Sequence, residues 1–140
     1  MTAIGSSKSS QESLKLAFEY LAKAKALDDS YSVASSTLGW IYVLRGEYDN
    51  AIAEAERAVA LEPNAGTAHI WMSLVFTFTG NHDEALPHAE RALRLDPFPP
   101  GWWFRALGGA YAWVGRYEEA IAAHKKALQR APKQERPVSR

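Results

Sequence analysis

Apolar residues along the chain recur at three- and four-residue intervals, in segments separated by short polar stretches that carry glycine or proline, and this spacing predicts α-helices. Leu38 and Tyr42, four apart, share one face of the helix that holds them. At 100° per residue Trp40 lies about 200° from both, opposite the face that packs within the unit. That opposite face should be polar if it meets only water. Instead it offers Val33, Thr37, Trp40 and Leu44, then Ile70, Trp71, Leu74 and Phe78, then Trp102, Arg105 and Trp113.

The helical segments repeat. GEYDNAIAEAERAVALEP, GNHDEALPHAERALRLDP and GRYEEAIAAHKKALQRAP are versions of one unit. Gly46 recurs as Gly80 and Gly115, and Pro63 as Pro97 and Pro132, at intervals of 34, 35, 34 and 35 residues. A fixed period of this length marks a stacked repeat array.

The unit resembles the tetratricopeptide repeat, whose pattern is W-x2-L-G-x2-Y, then A-x3-F, then P. Leu38, Gly39, Tyr42, Ala51 and Pro63 match in the first full unit, with Ser35 where tryptophan is usual. Met72, Ser73 and Phe76 match more loosely in the second, beside Ala85 and Pro97. Phe104, Leu107, Gly108, Tyr111, Ala120 and Pro132 carry the third, while Ala55, Ala89 and His124 replace the usual phenylalanine. The resemblance implies an all-α, right-handed solenoid of helix-turn-helix pairs. Seven helices are expected: a leading half repeat over 10–30, then full repeats over 32–65, 66–99 and 100–133, between a flexible leader at 1–9 and a basic tail at 132–140.

Physical chemistry gives each marker a job. Gly39 and Gly108 remove a side chain where paired helices approach, and Gly46, Gly80 and Gly115 stand where a left-handed C-cap residue is wanted. Asn81 with Glu84, and Ser9 with Glu12, have capping-box spacing. Ala51, Ala58, Ala85, Ala92, Ala120 and Ala127 keep the second helices thin. Pro87, inside a second helix, removes one backbone hydrogen bond and is expected to bend it. In DPFPPGWW, Pro97 ends a helix, Pro99 and Pro100 stiffen the connection, and Pro100 or Gly101 opens the next helix. Trp102 and Trp103 then diverge by 100°, Trp102 toward the groove and Trp103 inward.

Shifting the pattern back one period places Ala17 and Ala24 at Ala51 and Ala58, so residues 10–27 read as a second helix without its first. Nothing after Pro132 reads as a terminal polar helix. The sequence thus looks excised from something longer, with Ile121 and Leu128 near an uncapped end where a second copy could dock to form a homo-oligomer.

In the tetratricopeptide family the face opposite the packing face lines a concave groove that takes up peptides or helices. The resemblance therefore implies a protein or peptide partner, held by Thr37, Trp40, Leu44, Ile70, Trp71, Leu74, Phe78, Trp102, Arg105 and Trp113. The rival reading of several of these residues is packing between repeats. Co-chaperones of the family that clamp a terminal carboxylate use Lys, Asn and Arg here; Ser36, Trp40, Ile70, Leu74 and Gly109 do not build such a clamp. The stretches LDDSYSVASSTLGWIYVLRGEYDNAIAEAERAVALEPN and ALRLDPFPPGWWFRALGGAYAWVGRYEEAI also resemble repeat arrays that follow the catalytic domain of bacterial class III adenylate or guanylate cyclases. That resemblance implies a signalling setting for a scaffold with no chemistry of its own.

Composition narrows the function further. Sixteen Lys and Arg balance sixteen Asp and Glu, so no global field draws the chain to nucleic acid or to an acidic membrane. The basic run of Lys125, Lys126, Arg130, Lys133, Arg136 and Arg140 reads first as a helix C-terminus and polar tail, with nucleic-acid contact the weaker reading. With no cysteine there is no disulfide, thiolate nucleophile or thiolate metal site. His69, His82, His88 and His124 form no i, i+4 metal pair and read as surface or interface residues. Asp83 with Glu84, and Glu118 with Glu119, open helices where negative charge suits the dipole. No cofactor, metal or catalytic residue is assigned. With neither signal peptide nor apolar span, a cytoplasmic interaction module is the expectation.

Overall fold

A computed structural model describes residues 8–130 as seven α-helices: α1 (Lys8–Leu27), α2 (Ser32–Leu44), α3 (Tyr48–Leu61), α4 (Gly66–Phe78), α5 (His82–Leu95), α6 (Gly101–Trp113) and α7 (Tyr117–Arg130). The expected leader and basic tail lie outside these residues, except that Lys8 and Ser9 open α1. The closest pairs are α2 with α3, α4 with α5 and α6 with α7, and each pair packs on the next through α3 with α4 and α5 with α6. Contacts of α2 with α4 and of α4 with α6 line up the first helices in one layer. All the described structure is helical apart from the turns, an all-α solenoid.

The turns inside the pairs are made as the glycines require. Gly46, Gly80 and Gly115 hold φ of 77°, 90° and 85°, a region that other residues enter only with strain. At the first of them Gly46 N–H donates to Val43 O and Glu47 N–H to Tyr42 O, which satisfies the last carbonyls of α2. The helix starts are less well furnished. Asn81 is the N-cap of α5, but its side chain donates to Thr79 Oγ1 instead of capping, and Ser9 lies within α1, so neither expected capping box forms. Helix α5 runs through Pro87 without interruption.

Ala51, Ala58, Ala85, Ala92, Ala120 and Ala127 are all buried, which lets backbones stack closely. A Cβ on Gly39 would lie 3.2 Å from the Ala51 carbonyl oxygen, so α2 and α3 meet almost backbone to backbone. Ser73 stands at the equivalent position of α4 and donates from Oγ to Ala85 O at 2.8 Å. Two apolar clusters form the core. One centres on Val43, Met72, Val75, Phe76 and Leu86, the other on Ile70, Ala89, Ala92, Trp103 and Ala106. Helix α1 is tied on by Phe18 edge-on to Tyr42 and by a Lys25–Glu54 ion pair of 2.8 Å.

Two histidines meet inside the second pair. His69 Nδ1 lies 3.0 Å from His88 Nδ1, and His69 Nε2 lies 2.8 Å from Pro63 O. A carbonyl only accepts, so neutral His69 carries its proton on Nε2, and His88 donates from Nδ1. Burial pushes the His88 pKa down, His69 and Arg91 push it the same way, and Glu84 opposes them. The unfolded chain therefore binds this proton more readily than the folded one, and the stability held above the ordinary imidazole value, about 6.5, falls as pH drops below it. Urea midpoints at pH 7.5 and 5.5 should show the loss, and His88→Gln should shrink it; equal midpoints in the parent protein would refute the link.

A candidate interaction groove

The inner faces of α2, α4 and α6 enclose an open groove of about 640 Å³ lined by Trp40, Trp71, Leu74, Thr77, Phe78, Trp102, Arg105, Ala106, Gly109 and Trp113. Its floor is a chain of rings, one from each successive first helix. Trp40 and Trp71 are 6.0 Å apart, Trp71 and Trp102 5.4 Å, and Phe78 sits edge-on to Trp40 at 5.2 Å. Offset and tilted arrangements of this kind suit the ring quadrupoles. At the far end Trp113, 61% exposed, stacks on His82 with centroids 4.1 Å apart and the planes 2° from parallel.

The structure places the expected residues in three environments. Trp40, Trp71, Leu74, Phe78, Trp102, Arg105 and Trp113 come together in the groove. Ile70 does not: it is fully buried against Ala89, Ala92, Trp103 and Ala106, because its position faces along the array and the next repeat covers it. Arg105 occupies the same register one repeat later, where no further repeat follows among the described residues, and it stays exposed. Thr37 turns back to donate to Val33 O, and Leu44 lies beside Leu14 and Ala17 of α1, so both stand apart from the groove. Thr77, Ala106 and Gly109 were missed. Ala106 and Gly109 hold the registers of Trp71 and Trp40 in the third repeat, and their small side chains hollow the wall there. Counting the period with small residues included would have found them.

Arg105 is the one charged side chain in the lining and has no ion pair or hydrogen bond among the described residues. No group of three or more His, Asp or Glu among those residues could hold a metal ion. None of the described helices is long and apolar enough to cross a membrane.

A sequence model described as "Tetratricopeptide repeat" matches residues 36–100 and again 78–135, most of the chain. The chain belongs to the tetratricopeptide repeat family. Its class is accordingly that of a protein–protein interaction module. Among solved structures it is similar to TTC0263, a thermophilic tetratricopeptide repeat protein of Thermus thermophilus, at 26% identity and TM-score 0.74, covering 89% of this chain and 70% of that one. A crystal structure of MamA is 30% identical with TM-score 0.65, covering 81% of this chain and 66% of its own length. A Desulfovibrio magneticus MamA fragment, at 18% identity and TM-score 0.68, covers 86% of this chain and 68% of that one and shares the fold. The chain thus spans about two thirds of these structures. No curated protein matches it.

Proposed function

We propose that this tetratricopeptide repeat array is a scaffold whose concave groove captures a peptide or short helix of a protein partner. The observation that carries the reading is the groove lining, in which four tryptophans and a phenylalanine share one open surface with a single charge. Aromatic side chains on an open concave surface are the usual anchors of binding energy. The resemblance to cyclase-associated arrays adds a setting within a larger bacterial signalling protein, in the cytoplasm. The module contributes no reaction of its own on this reading.

Trp113 gives the cleanest test, because most of its surface is open and few core contacts depend on it. Trp113→Ala should weaken capture of a partner by about 2 kcal/mol while helicity by circular dichroism stays unchanged. Calorimetry against a purified partner decides it. Unchanged affinity together with a collapse in thermal stability would make Trp113 a structural residue and remove the groove from the account.

A second reading rests on a different surface. Ile121 and Leu128 of α7 are 57% and 77% exposed, whereas Leu86 and Leu93 at the same registers of α5 pack into the core. That face suits a structural or oligomerising role, with a second copy as cover.

A further inference from the structure

The groove's polar groups are nearly all donors. Each indole offers an N–H and cannot accept, a guanidinium only donates, and Thr77 supplies the one hydroxyl. None of these groups has a hydrogen-bond partner among the described residues, and no indole nitrogen is among the buried unpaired atoms. Unpaired among those residues, these donors are open to acceptors from outside the chain. An occupant must bring acceptors of its own, since a donor sealed off without a partner is costly.

That requirement separates the candidate occupants. An α-helix uses its own carbonyls internally and would present only side chains to the indoles. A β-strand needs both donors and acceptors from a free sheet edge, and helical walls have none. A cationic ligand would suit the ring faces but would meet Arg105 with no acid in the lining to offset it. A polyproline II segment has no internal hydrogen bonds, so its carbonyls are free to accept, and its compact apolar pyrrolidine rings pack well against tryptophan. An acidic residue in it would give Arg105 the counter-charge it lacks.

We propose, building on the groove reading above, that the occupant is a proline-rich segment in the polyproline II conformation whose acidic side chain pairs with Arg105. Its carbonyls accept from the indole N–H groups. Charge complementarity sets its register.

A display library of random dodecapeptides, selected on the intact chain and counter-selected on Trp102→Ala, tests the proposal. Enrichment of peptides that combine prolines with Asp or Glu is expected. Arg105→Glu, at an exposed position, should keep its helicity, bind the enriched peptide about tenfold more weakly, and recover when the peptide's acid is changed to Lys. Enrichment of amphipathic sequences with i, i+3, i+4 anchors would overturn the polyproline reading and leave the groove reading standing. Proline-rich binders indifferent to Arg105→Glu would overturn the charge pairing. No enrichment that depends on Trp102 would overturn both the proposal and the groove reading beneath it.

Discussion

Trp103→Ala should cost about 4 kcal/mol, the usual range for emptying a buried aromatic site, and should uncouple the third repeat from the second. Trp103 is 3% exposed and packs with Ile70, Ala89 and Ala92, so it fills the joint between α4–α5 and α6. Its ring also covers Gly66, where an added Cβ would lie 3.0 Å from it. In a repeat array each unit depends on its neighbour interfaces, so weakening this joint should split one urea transition into two, with α6 and α7 melting first. Trp102→Ala is the internal control: the adjacent residue faces the groove and should cost far less stability while impairing capture. Equal losses from the two substitutions would show that the chain does not separate these side chains as described.

Replacing Ile121 and Leu128 together with glutamine should lower any self-association constant by about two orders of magnitude. Burying each side chain at a contact is favourable by roughly 1.5–3 kcal/mol, and glutamine removes most of that. Both residues are exposed in the single chain, so the monomer should fold with unchanged stability. Sedimentation velocity over a concentration series checks the effect. A parent chain that stays monomeric to about a millimolar would discard the oligomerising reading, and association unmoved by the double substitution would shift it to another face, such as the exposed Leu16 and Tyr20 of α1.

How much of this was legible in the residues depended on how local the cause was. Gly46 declares its turn because a positive φ is a property of one position, and Trp102 and Trp103 part company because adjacent helical residues always diverge. Ile70 and Arg105 share a register and read alike, yet one is core and the other open, because what covers each is the following repeat and not its own helix. Asn81 shows how capping spacing can mislead, since the nearby Thr79 hydroxyl takes its amide. His69 and His88 are 19 residues apart on facing helices, and no period connects them; only packing brings their rings together.

The ring chain on the groove floor also makes the array a mechanical object. Trp40, Trp71 and Trp102 belong to three successive repeats that lean on one another only through neighbour joints. Small rotations at those joints therefore add up as changes in ring spacing. Extension along the solenoid axis would act on those joints and so on the spacing of the indoles. If the groove holds a partner as proposed above, its grip would thereby be coupled to extension of the array.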